Sequence, residues 1–334
     1  MPTLDLVPVA VPDNLTRERA HREEGAGLRR PIVLIVTLLL LAGLGSGPGA
    51  GMAQSPSAEL VLLGTGTPVP DPAAWGPASA VIVGDRVFLV DAGAGVTRRL
   101  AAAGFPRVKD VTATFITHLH SDHTLGYPDL LFTTWIMGRR SPLVVFGPPG
   151  LREMTARIVE AWGPDIDVRV KGLERETREW LDADVREVPP GVTNVVYERD
   201  GVKVTAVEVS HGEWRSFAYR IDTPARSITF SGDTGPSAAL VAAARGTDVL
   251  VHEVYNGSRV AAESRPGGEH WPEYLRTAHT SDVELAALAR QIRPGLLVLN
   301  HVLRLGGTEQ EILDRIRAAG YTGRVVVGHD LDRY

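Results

Sequence analysis

The chain has 334 residues, 44% of them hydrophobic, and a formal charge of −5 from 35 basic and 40 acidic side chains. That is enough apolar material for a proper core, and it shows no basic excess of the kind that gripping a phosphate backbone calls for. Cysteine is absent, which excludes disulfides, thiolate catalysis and Cys-type structural zinc sites, so a transition-metal site must be built from histidine and carboxylate.

The N-terminal region opens with about 30 polar residues of mixed charge, followed by the Arg29-Arg30 pair, a 13-residue apolar run from Ile32 to Leu44, and small residues ending in Gly51-Met52-Ala53. An apolar run of that length suits a secretory signal and falls short of the ~20 residues that span a bilayer. The expectation is a polar extension plus signal peptide over 1–53, cleaved near Ala53-Gln54, and one exported domain over 54–334, periplasmic or secreted. An uncleaved, outward-facing membrane anchor is the alternative, and only then would the chain contact a membrane.

From Glu59 onward, short apolar strands alternate with helical stretches. "ELVLLG", "SAVIVG" and "RVFLVDAG" read as strands, "GVTRRLAAAG" as a short helix, "VTATFITH" as a strand and "PDLLFTTWIMGRR" as an amphipathic helix. "PLVVFGPPG" reads as a buried strand and turn before a helix over 151–162. A charged, less regular stretch covers 165–200. Strands recur at "VKVTAVEVS", "SFAYRID" and "SITFSGD". Helix and strand then alternate through "SAALVAAARG", "TDVLVHEV", "SDVELAALARQI", "GLLVLNHV" and "EQEILDRIRAAG", and "GRVVVGHD" is a final strand. The pattern predicts one α/β sandwich domain of about 275 residues.

Five strands finish on potential metal ligands: Asp91, the run "HLHSDH" (His118, His120, Asp122, His123), His211, Asp233 and His301. His118 and His120 project from one side of an extended strand end. The turn starting at Ser121 redirects Asp122 and His123. One metal would take His118, His120 and His211, a second Asp122, His123 and His301, and Asp233 would bridge them. Nitrogen and carboxylate donors without thiolate suit two Zn2+ ions per chain, with Mn2+ or Fe2+ as other occupants. Asp91 reads as an orienting partner, and His252 and His329 as structural histidines.

The run "THLHSDH", with "LLGTGTPVPDP" upstream and "SHG…SGDTG…VHEV…AHTS…LNHV" downstream, resembles the metallo-β-lactamase superfamily, most closely its ribonuclease Z and arylsulfatase-like branch. The resemblance runs from about Leu60 to the end. It implies a four-layer αββα sandwich with a dinuclear zinc site on its edge, the ligands named above, and Glu253 and His279 as a pair in proton transfer. Ribonuclease Z enzymes usually carry a tRNA-gripping arm between the residues matching His211 and Asp233, an interval of only 21 residues here. "GRRSPLVVFGPPG", the helix carrying Trp135 and "DIDVR" look more like the arylsulfatase-like members.

The expected function is therefore an exported dinuclear zinc hydrolase of small sulfate or phosphate esters. Metal-bound hydroxide is the nucleophile, His279, Glu253 and Asp122 are the catalytic candidates, and no nucleic acid is expected as partner. Trp135, Trp214 and Tyr255 are candidates to line an apolar pocket, and Arg139, Arg140 and Arg215 to meet an anion. A tRNA 3′ endonuclease of ribonuclease Z type and a lactonase are the enzyme alternatives, and a metal-binding sensor without turnover is the non-enzymatic one.

Overall fold

The computed structural model of the protein describes residues 57–334 except 106, 107, 192, 262, 263 and 265. The expected signal peptide and the boundary at 53/54 lie outside the described residues. Among those residues no helix is long and apolar enough to cross a membrane.

One mixed sheet has the strand order β1 (Ala58–Gly64), β2 (Ala78–Val83), β3 (Arg86–Val90), β4 (Val111–Phe115), β5 (Leu143–Gly147) and β6 (Ala183–Glu187). The first three pair antiparallel and the last four parallel. The second sheet is ordered β13 (Val325–Val327), β12 (Leu296–Leu303), β11 (Val249–Tyr255), β10 (Ser227–Phe230), β9 (Trp214–Asp222), β8 (Val202–His211) and β7 (Asn194–Arg199). Here β7 to β10 are antiparallel and β10 to β13 parallel.

The apolar runs of the strands follow from burial on both faces. Successive side chains of a strand point to opposite sides. In β1, Leu60 and Leu62 join a core between the sheets, while Val61 and Leu63 join an outer core. In β3, Phe88 and Val90 face inward and Val87 and Leu89 outward. Phe217, Tyr219 and Ile228 bring the second sheet into the central core, where Phe115 and Tyr219 lie 5.4 Å apart. Helices α1 (Val96–Ala102), α3 (Tyr127–Ile136) and α4 (Leu151–Ala161) cover the outer face of the first sheet, and α6 (Ala238–Ala244), α8 (Asp282–Ile292) and α9 (Glu309–Ala318) that of the second. This is the four-layer αββα sandwich. A capping box between Ser281 and Glu284 starts α8, satisfying backbone N–H groups that the first turn would otherwise leave unpaired.

Two local expectations are corrected, and one helix is added. The stretch 165–200 holds part of α5 (Gly163–Lys171), then β6 and β7. Helix α3 is not amphipathic, because Tyr127, Leu130, Leu131, Phe132, Thr134 and Trp135 are all buried. A helix over Trp271–Ala278, α7, precedes His279. At the far end of the chain, Tyr334 and Leu60 exchange backbone hydrogen bonds at 2.9 and 3.0 Å, and the Leu62 N–H donates to the Asp332 carbonyl at 3.0 Å. Residues 331–334 thus occupy the outer side of β1.

Candidate metal centre

The sandwich delivers its polar strand ends to one edge. Beyond β4 the chain leads through His118 to His120, and the four-residue helix α2 (Ser121–Thr124) then brings in Asp122 and His123, the His123 ring 4.2 Å from that of His118. His211 is the last residue of β8, Asp233 follows β10, and His301 lies within β12. Asp91, just past β3, and His301 have φ of 62° and 47°. Non-glycine residues in this left-handed region cost roughly 1–3 kcal/mol and persist where the surroundings hold them. Gly232, at φ 60°, precedes Asp233, and a Cβ there would stand 2.9 Å from the Phe217 carbonyl oxygen.

All seven expected ligands converge in two groups: His118, His120, His211 and Asp233 in one, and Asp122, His123 and His301 in the other. In the first group, His120 Nδ1 lies 3.0 Å from His118 Nε2 and 3.1 Å from His211 Nε2. In the second, His301 Nε2 is 3.2 Å from Asp122 Oδ2. The Asp233 carboxylate sits between them, Oδ1 3.5 Å from His123 Nε2 and Oδ2 3.6 Å from His301 Nε2, 3.9 Å from His118 Nε2 and 4.0 Å from His211 Nε2.

Whether these residues fit metal ions is decided by what holds three of the rings, those of His123, His211 and His118, from their far sides. His123 Nδ1 is 2.9 Å from Asp91 Oδ2, and His211 Nδ1 donates to the Ala278 carbonyl at 2.7 Å. His118 Nδ1 is 3.0 Å from Thr117 Oγ1. Such outer partners fix the tautomer and leave the inner nitrogen's lone pair aimed into the site. His123 Nε2 is buried without a hydrogen-bond partner, an arrangement native structures avoid unless an ion or catalytic role explains it. Asp91, which also accepts from the Thr117 N–H at 2.8 Å, holds the orienting position. The donor set fits two cations.

The electrostatics agree with that fit. Burial, followed by neighbouring histidines, holds His118 well below the ordinary histidine range, and burial and then His211 bring His120 down to about 4. Burial also lowers His211. These rings are neutral at pH 7, as ligation requires. Burial opposes charging of His123 and His301, yet the Asp233 carboxylate, helped by Asp91 and Asp122 respectively, lifts both. Burial likewise opposes ionisation of Asp233, and His301 and His123 overcome it. The carboxylates therefore call for cationic charge on this side of the centre.

Glu253 on β11 and His279, just beyond α7, meet at the rim. Glu253 Oε1 and Oε2 are 2.9 and 3.0 Å from His279 Nδ1, and Oε1 accepts from the Thr234 N–H at 2.8 Å. The His279 ring is 4.9 Å from His211 and 6.2 Å from His301. Burial lowers His279, while burial and then Asp233 raise Glu253, so one proton shared along this contact suffices for both.

The outer candidates separate by environment. Trp214 stands with its ring 4.7 Å from His120. Trp135 does not line a pocket: it is fully buried and donates from Nε1 to the Thr177 carbonyl at 2.9 Å. Tyr255 packs in a small core with Leu275 and Leu303. Arg139 is also corrected, because its guanidinium is buried and spent on the carbonyls of Leu131, Ser141, Leu181 and Asp182. Arg140 lies over Trp180 and Arg215 pairs with Glu208. The sequence reading missed Tyr274, whose ring is 5.4 Å from His279 and 6.3 Å from His211. Its position five residues before His279 was the available signal.

An αββα sandwich with this donor set on its edge defines a metal-dependent hydrolase acting on ester bonds. A model of the beta-lactamase superfamily domain matches residues 86–302, and the chain belongs to that superfamily, in its ribonuclease Z-like branch. It is 34% identical over 273 residues to a ribonuclease Z of Mycobacterium bovis (strain BCG / Pasteur 1173P2), covering 79% of this chain and 92% of that one. It is 36% identical over 268 residues to a ribonuclease Z of Mycolicibacterium paratuberculosis (strain ATCC BAA-968 / K-10), again covering 79% and 92%. The crystal structure of human tRNase Z, short form, has the same fold, with a TM-score of 0.63 at 21% identity over 83% of this chain and 98% of that one. These relatives give no support to the arylsulfatase-like reading, and the expectation of no nucleic-acid partner goes further than they allow.

Proposed function

We propose that the protein is a metal-dependent phosphodiesterase of ribonuclease Z type, with the 3′ end of precursor tRNA as the first substrate to test. The observation that carries this reading is the 34–36% identity to ribonucleases Z across about 79% of the chain, combined with seven converging donors. His118, His120 and His211 would hold one ion, Asp122, His123 and His301 the other, and Asp233 would reach both. Zinc suits the donors best. When bound, two such ions supply Lewis acidity toward the phosphoryl oxygens and a nucleophile at neutral pH. His279, held by Glu253, places a protonated ring nitrogen for the departing oxygen. Asp91 keeps the His123 ring fixed.

A second reading, turnover of small sulfate or phosphate esters, draws on one feature. Residues 212 to 230 are taken up by a two-residue turn, β9, a short turn at Thr223–Arg226 and β10, and only Ser231 and Gly232 remain before Asp233, which leaves no projecting arm. Export guided by the Ile32–Leu44 run, which makes cytoplasmic tRNA inaccessible, belongs with this second reading, and cell fractionation tests it. The deciding assay compares the metal-loaded protein on precursor tRNA with a 3′ trailer, bis(p-nitrophenyl) phosphate, p-nitrophenyl sulfate and a lactone. Cleavage at the tRNA 3′ end, weakening steeply with salt, supports the first reading. Turnover of sulfate esters without either phosphodiester overturns it, and no turnover on the whole panel supports a sensor.

A further inference from the structure

The β8–β9 hairpin turns through Gly212 and Glu213 alone, with Gly212 in the left-handed region at φ 57°. This register sets Trp214 directly opposite His211. Paired residues on neighbouring strands project to the same face, so the hairpin carries Trp214 to the side on which His211 enters the metal centre. Two positions on, the Ser216 hydroxyl donates to the Asp233 carbonyl at 2.9 Å, as expected for that face. The indole meets the His120 ring edge-to-face, with centroids 4.7 Å and planes 61° apart.

Despite that contact, Trp214 is 45% exposed. Burying a tryptophan removes 150–250 Å² from water and is strongly favoured, yet here nearly half the residue is left in solvent beside the three-histidine group. The other flank of the group is aromatic too: Tyr274 lies 6.3 Å from His211 and stacks on Trp271 at 5.2 Å and 22°. A planar substituent on an ester held at the metal centre therefore has an open indole beside it.

We propose that Trp214 is the stacking platform for a nucleobase on the phosphodiester, placed next to His120. The proposal rests on the phosphodiesterase reading and names the substituent that the site favours. Stacking between a base and an aromatic side chain tolerates every base, because each has a π-face, and is worth roughly ten-fold or more in affinity. The short hairpin would then hold an RNA end by its terminal base, with selectivity for nucleotide over bare sugar phosphate and little choice among sequences.

The test measures direct binding of adenosine 5′-monophosphate and ribose 5-phosphate, by calorimetry, to metal-loaded wild type, Trp214→Phe and Trp214→Leu. The two probes share a phosphomonoester and differ by the base. The expected result is that wild type binds the nucleotide at least ten-fold tighter, that Trp214→Phe retains most of this preference, and that Trp214→Leu loses it through weaker nucleotide binding alone with metal content unchanged. Equal affinity of wild type for both probes overturns the platform. So does equal weakening of both in Trp214→Leu, or loss of metal from it, since Trp214 would then merely support the His120 ring. Binding is read independently of turnover. A Trp214-dependent preference without phosphodiester cleavage removes the phosphodiesterase reading and keeps the platform, whereas cleavage without the preference removes the platform alone.

Discussion

Glu253 and His279, 26 positions apart in sequence, lie with Oε1 2.9 Å from Nδ1, and both are buried. With Nδ1 committed, only the opposite ring nitrogen is left to exchange a proton with a departing oxygen. His279→Ala should keep both metal groups intact and slow turnover by about 10²–10⁴-fold, the usual worth of a general acid. The slowing should shrink as the leaving group becomes more acidic, measured as kcat over a series of substituted aryl phosphodiesters. Equal slowing across the series would remove His279 from proton transfer. Glu253→Gln, which keeps an acceptor but no charge, should fall between the two.

Asp233 is the only carboxylate within 4.0 Å of histidine nitrogens from both groups among the described residues. Elemental analysis of active protein should give close to two transition-metal ions per chain. Chelation should abolish activity and lower the melting temperature, because ligands bind the folded state alone. Asp233→Ala should lose metal and activity together. Active protein with only trace metal would sink the assignment.

His252 allows a pH test separate from the ligands. Its Nδ1 donates to the Glu253 carbonyl at 2.7 Å, its Nε2 is buried without a partner, and burial brings its pKa down to about 4. Between pH 6.5 and 4 the unfolded chain binds a proton that the folded ring refuses, so this residue's contribution falls as pH falls through that window. The slope from one such group is at most about 1.4 kcal/mol per pH unit. Denaturant unfolding in chelator at pH 6.5, 5.5 and 4.5 should show a shallower acid decline for His252→Leu than for wild type. Parallel declines would show that the ring does not resist protonation.

Trp135 and Trp214 make a contrasting pair for mutation. Trp135 is fully buried and hydrogen-bonded within the outer core, so Trp135→Ala should cost about 3–5 kcal/mol of stability. At a temperature where the variant is still folded, kcat/KM should change by less than a few-fold. A large activity loss at full folding would return Trp135 to the substrate site.

The ligand set was legible because His118, His120, His211, Asp233 and His301 each lie in or just beyond an apolar strand, where a polar residue needs a reason. The outer sheet strands were not. β6 and β7 are the edge strands of their sheets and have only one buried residue between them, Val185, so the alternation that marks a strand is absent. Tyr274 escaped notice because its nearness to His279 in sequence, the one signal present, does not by itself show that α7 lays its ring on His279. Trp135 and Trp214 both neighbour site segments in sequence, and only the packing decides which one faces the core. The ester itself is set by the shape around the metals, to which no single motif corresponds.

The pairing of residues 331–334 with β1 also governs how the protein is made. β1 is among the earliest strands to leave the ribosome, but its outer edge finds its partner only after residue 334 has been synthesised. An unpaired strand edge is a template for another chain, so the edge of β1 stays open to mispairing until residues 331–334 emerge. A variant without residues 331–334 would spare every metal ligand and still carry an exposed strand edge.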